Sequence, residues 1–129
     1  MSQTPWLIKE QETGTNIESV QTSLGEAIRK EIFGADEVLL HGSGREDLDV
    51  RMVGQGRPFI LEFINPHKGV TCYKRISEMS SIANSQSNVV KALDMQIATM
   101  QDFDELKASC NTKAKAYVSI VWVKDKLTQ

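Results

Sequence analysis

The stretch from Glu37 to Ile64, EVLLHGSGREDLDVRMVGQGRPFILEFI, limits the fold more than any other part of the chain. Its apolar runs are short and broken by glycines, which fits strands and turns. EVLLH reads as one short strand. DLDVRMV and RPFILEFI flank Gly54-Gln55-Gly56, a hairpin signal, and Pro58 is tolerated because it stands at the beginning of the second strand. In an extended strand, residues two apart share a face, so Asp47, Asp49 and Arg51 project together while Leu48, Val50 and Met52 point to the core. A sheet with a strongly charged turn is the minimum this sequence demands.

Helices and further strands surround that sheet. Thr15 and Glu18 form a capping-box pattern ahead of Ile17, Val20, Leu24, Ile28 and Ile32, and Gly34 is placed to stop the helix they predict. Gly25 weakens the interior of that helix. Trp6 follows Pro5 in an extended lead-in as a packing aromatic. YKRISEMSSIA predicts a helix with Ile76, Met79 and Ile82 along one side, and DFDELKAS a shorter one. SNVVKALDMQIAT alternates around Leu93, Met95 and Ile97 and predicts a half-buried strand. KAYVSIVWV is β-branched and aromatic on both faces, as a central strand is. Such a strand needs neighbours on both sides, yet the chain stops within six residues of Val123, so it reads as the first part of a larger domain. The strand edge left over is open to association. The expected class is α+β: a mixed, largely antiparallel sheet flanked by helices, in one domain over residues 1–129.

Composition narrows the function classes. A chain of 129 residues with 40% hydrophobic and 25% charged residues can bury a core. It carries neither an apolar run of the roughly 18 residues a membrane span needs nor the sections of a signal peptide, so an intracellular protein, cytosolic or nuclear, is expected. The net charge of −2 and pI near 5.7 argue against a self-sufficient nucleic-acid binder, which usually shows a basic stripe. Lys113, Lys115, Lys124 and Lys126 form a modest basic cluster, readable as a solvated face or as an RNA-backbone contact. Cys72 and Cys110 have no CxxC neighbour and read as reduced thiols. His41 and His67 lack metal-ligand spacing, so no metal site is expected. There is no GxSxG elbow.

The charged turn admits two readings. One is a solvated strand face with cross-strand ion pairs. The other is a carboxylate held beside an arginine at the mouth of the sheet, with Gly42, Ser43 and Gly44 forming an anion-binding nest. GxGxxG spacing is missing, and no lysine follows the loop, so a nucleotide-phosphate loop is poorly supported.

SQTPW at 2–6, GREDLDVRMVGQGRPFILEFINPH at 44–67 and KAYVSIVWV at 115–123 together resemble one family, in order and spacing over nearly the whole chain. It is the tRNA pseudouridine synthase of archaea and eukaryotes that acts on T-loop uridines, the tenth pseudouridine synthase family. The resemblance is to the N-terminal part of its catalytic domain and implies a sheet with a cleft containing one indispensable aspartate. In several families that aspartate ends an Arg-x-Asp motif, which Arg45-Glu46-Asp47 matches, so Asp47 becomes the expected catalytic residue and Asp49 the second candidate. Arg45, Gly44 and Arg51 become the expected substrate-binding residues, with tRNA as partner, no membrane and no cofactor. Family members continue past this chain's end with a Gly-Thr-Tyr-Ile-Lys/Arg type segment, and neither Tyr73 nor Tyr117 stands in that context. Their N-terminal RNA-binding extension has no counterpart here either. The implied alternatives are a partial catalytic domain acting through Asp47, or a catalytically inactive RNA- or partner-binding remnant.

Overall fold

The computed structural model describes residues 19–44, 51–52, 54–69, 73–88, 90–110, 112, 114 and 116–124. Along the chain these form helix α1 (Val20–Ile28), a π-helical turn (Arg29–Phe33), strands β1 (Glu37–Gly42) and β2 (Phe59–Ile64), and helices α2 (Tyr73–Gln86) and α3 (Met100–Ser109). The strands form a two-stranded antiparallel sheet, and the chain is a small α+β domain, as its sequence predicts.

Helix α1 starts later than the Thr15 pattern predicts. Ser19 caps it: the Ser19 hydroxyl accepts from the Thr22 amide at 3.2 Å, and the Thr22 hydroxyl accepts from the Ser19 amide at 2.7 Å. Threonine thus fills the place a glutamate usually takes in a capping box. Thr15, Ile17 and Glu18 lie outside the described residues. Gly34 ends the following π turn with φ of 58°, a left-handed conformation that suits glycine. The amides of His67 and Lys68 then donate to the Phe33 carbonyl, tying the turn to the chain leaving β2.

The register runs from Glu37↔Ile64 to Gly42↔Phe59, which puts Val38, Leu40, Phe59, Leu61 and Phe63 on one face. That face packs against a core formed by Leu24 and Ile28 of α1, Ile32 of the π turn, Met79 and Ala83 of α2, and Ala92. Phe33 stacks on Phe63 with ring centroids 4.3 Å apart. Gly25 proves to be more than a weak point of its helix. A Cβ added there would stand 2.9 Å from Val38 Cγ2 and 3.1 Å from Cγ1, so α1 packs this close to β1 only because the side chain is missing. Gly25→Ala gains about 1 kcal/mol of helix propensity but meets a branched side chain that is stiff at χ1, with overpacking costs of about 1–3 kcal/mol. Urea unfolding should show a net loss of about 1 kcal/mol, turning into a gain when Gly25→Ala is made in a Val38→Ala background.

Residues 90–99 do not form the half-buried strand their alternation predicts. Asp94 has φ of 50°, which turns the chain out of an extended path, and Leu93 and Ile97 face solvent. Asn84 on α2 holds this segment instead. Its Oδ1 accepts from the amide of the buried Ala92 at 2.7 Å, and its Nδ2 donates to the Ala92 carbonyl at 2.9 Å. Asn84→Ala leaves both backbone groups unpaired, at about 1–3 kcal/mol each. A stability loss of about 2–3 kcal/mol is therefore expected, together with faster hydrogen exchange at the Ala92 amide.

Two further expectations are corrected. Of the first arm expected ahead of Gly54-Gln55-Gly56, the described Arg51 and Met52 are exposed and outside any strand, and the rest lies outside the described residues; the second arm, RPFILEFI, forms β2, and its partner is β1. Gly54 and Gly56 have φ of 80° and 79°, so glycine is needed at each. Residues 116–123 pair with no strand among the described residues. Ile120 is 101% and Trp122 87% exposed, so the central strand that their composition predicts has no neighbours there.

Candidate active site

The charged connection is rooted where β1 ends and β2 begins. The Ser43 amide donates to the Pro58 carbonyl at 3.3 Å, carrying the ladder one step past Gly42↔Phe59 and holding the two ends of the connection together. Gly44, the next residue, has φ of 104°. A Cβ on it would lie 3.3 Å from Nη1 of Arg57. Position 44 suits glycine because of its backbone angle, and the end of the Arg57 side chain lies against it. Arg57 is half-buried and Arg51 exposed. Arg45, Asp47 and Asp49 lie outside the described residues.

Helix α3 closes the other side of this root. The Ser109 hydroxyl donates to the Leu106 carbonyl at 2.8 Å, which leaves its oxygen to accept from the hydroxyl of the buried Ser43 at 3.0 Å. The Cys110 thiol lies 3.7 Å from the Gly42 carbonyl. His41 on β1 pairs with Glu62 on β2 at 2.8 Å, and its ring meets that of Phe103 edge-on at 4.8 Å. Lys107 Nζ sits 4.3 Å above the same Phe103 ring. The last turns of α3 are thus seated on the end of the hairpin from which the charged segment departs.

The second histidine is at the opposite end. His67 Nε2 lies 3.2 Å from Asp36, and Asn65 Nδ2 donates to the same carboxylate at 3.2 Å. The hydrogen bond from Asn65, then that from His67, holds the Asp36 carboxyl below its usual range. His41 and His67 are therefore held apart by the length of the hairpin. Among the described residues no three His, Cys, Asp or Glu side chains are grouped to hold a metal ion.

Arg57 and the Ser43–Ser109 contact have no motif that marks them in the sequence. Arg57 reaches Gly44 only because β1 pairs with β2 in this register, and Ser109 reaches Ser43 only because α3 folds back onto the strand end.

The family model described as "Pus10, C-terminal" matches residues 1–129. This chain belongs to the Pus10 family. The human tRNA pseudouridine synthase Pus10 is 32% identical over 125 residues, 95% of this chain and 22% of that protein. The Xenopus laevis protein of the same name is 34% identical over 125 residues, covering 95% of this chain and 23% of its own length. The Pyrococcus furiosus one is 35% identical over 112 residues, covering 87% and 27%. The chain spans about a quarter of the length of the curated Pus10 relatives it matches. Within the family segment, Arg45-Glu46-Asp47 directly follows Gly44, the glycine fixed against Arg57.

Proposed function

We propose that this chain takes part in converting uridine to pseudouridine in the T loop of tRNA, with Asp47 as the acting carboxylate and Asp49 as the second candidate. Membership of a family whose relatives are named tRNA pseudouridine synthases is the observation that carries this reading. The Arg45-Glu46-Asp47 motif, in a connection rooted by Gly44 and Arg57, agrees with it.

The reaction breaks the N1–C1′ bond of uridine, turns the uracil and rejoins it through C5, releasing the C5 proton. It is redox-neutral, so a carboxylate suffices, either attacking covalently or removing a sugar proton. The carboxylate must be ionised, and arginines close in sequence favour that form. The target uridine must first leave its stack, at about a few kcal/mol. Arg45, with Gly44 and Arg51 beside it, is assigned to gripping the nucleotide, since a guanidinium both stacks on bases and binds phosphate with two hydrogen bonds. A tRNA substrate implies an intracellular protein, in cytoplasm or nucleus.

The test is to incubate the full gene product with an unmodified tRNA transcript and map pseudouridine by carbodiimide labelling and primer extension. A new stop at a T-loop uridine is expected. Stops confined to other arms, or none, would remove the proposal.

A further inference from the structure

We propose that this chain pairs with a second copy of itself by strand exchange: residues 116–123 of each copy lie along the outer edge of β2 in the other. The sheet has two edges, and one is already covered. Along β1, the Leu40 amide donates to Oε1 of Gln21 at 3.1 Å, and the Cys110 thiol donates to the Gly42 carbonyl at 3.7 Å. Along β2, the Ser43–Pro58 hydrogen bond fixes which residues face β1: Pro58, Ile60, Glu62 and Ile64, every second one. The backbone groups of Phe59, Leu61 and Phe63 therefore point outward, and among the described residues nothing bonds to them there. Burial shows the same imbalance. Val38 and Leu40 of β1 are buried, whereas Phe59, Leu61 and Phe63, on the same face of β2, are half-buried. The core lacks a cover on that side.

Residues 116–123, AYVSIVWV, have the matching properties. They carry no charge, proline or glycine, and Val118, Ile120 and Trp122 stand in solvent. As a strand they put Val118, Ile120 and Trp122 on one face, with Tyr117, Ser119, Val121 and Val123 on the other. The first face continues Phe59, Leu61 and Phe63 over the core. The second, with its two hydroxyls, continues Ile60, Glu62 and Ile64 on the outer side. Strand β2 has none of the lysines or prolines that blunt an open edge, and its single charge, Glu62, is paired with His41.

A second copy is the occupant because the chain's own segment starts from the opposite edge. Helix α3, which precedes it, is fixed at its end to Ser43 through Ser109 and to the covered edge of β1 through Cys110. Each copy offers one strand and one edge, so reciprocal exchange closes as a two-fold dimer and leaves neither unpaired. A net charge of only −2 puts little repulsion in its way.

The experiment combines sedimentation equilibrium of the full gene product, over a wide range of concentration, with amide hydrogen exchange read by NMR. A concentration-dependent dimer is expected, in which the Leu61 and Phe63 amides exchange about tenfold or more slower than in the dilute monomer. Ile120→Lys, at a position 101% exposed, should leave the melt of the dilute protein unchanged, raise the dimer dissociation constant by about a hundredfold and return both amides to fast exchange. Ile97→Lys, at an exposed isoleucine outside both strands, should alter none of these. A monomer at every concentration overturns the proposal; if its Leu61 and Phe63 amides are protected, a segment of the same molecule covers β2 instead. A dimer that survives Ile120→Lys, that weakens as much with Ile97→Lys, or that leaves the Leu61 and Phe63 amides in fast exchange overturns it as well.

Discussion

Ile28→Ala is expected to cost about 3–4 kcal/mol, the largest stability loss of any single truncation in the described part of the chain. Ile28 is 0% exposed and lies in the cluster where α1, α2 and the apolar sheet face meet. Its neighbours cannot close the gap. Gly25 already brings α1 into contact with Val38, so the helix has no room to sink further toward β1. Removing the side chain therefore leaves both the lost transfer energy and a cavity, and domains of this size have only about 5–15 kcal/mol in total. Ile97→Ala is the control. Ile97 is 69% exposed, and its truncation should fall within about 0.5 kcal/mol of the parent. Urea unfolding checks both, and the slope should stay the same in each. Equal losses at the two positions would mean that α1 and α2 do not form the core described.

Asp47→Ala is expected to reduce pseudouridine formation by about 10³-fold or more while leaving the urea midpoint close to the parent value. Loss of a group that reacts covalently, or that removes a proton in the difficult step, falls on kcat and is seldom recovered by the rest of the site. Tight binding of tRNA by the inactive variant is the companion result. Arg45 and Arg51, assigned to gripping the nucleotide, remain in place, and loss of one carboxylate leaves the segment less repulsive to phosphate. A variant that loses turnover and tRNA binding together would place Asp47 in holding the loop and not in the chemistry.

The sequence makes the local features legible and the non-local ones not. The helical spacing of Leu24, Ile28 and Ile32 and the stop at Gly34 are readable because they depend on residues a few positions apart. The cap is misplaced by four residues because Thr15-to-Glu18 is the commoner pattern, whereas Ser19 and Thr22 make the same pair of hydrogen bonds with a threonine. The alternation from 87 to 99 is overruled by Asn84, a side chain on another element that grips the backbone of Ala92. Residues 116–123 have the composition of a central strand, but strand formation depends on a partner, which composition does not supply. At the site, Arg45-Glu46-Asp47 is legible through family resemblance, while Arg57 requires the β1–β2 register and Ser109 the return of α3.

The measurement that tests the central claim most directly is tritium release from C5-labelled uridine in a tRNA T-arm, comparing the full gene product with Asp47→Ala and Asp49→Ala. Release by the parent and by Asp49→Ala, with none by Asp47→Ala, is the predicted result. Release that survives Asp47→Ala and disappears with Asp49→Ala would contradict the assignment and move the acting carboxylate two residues along the chain.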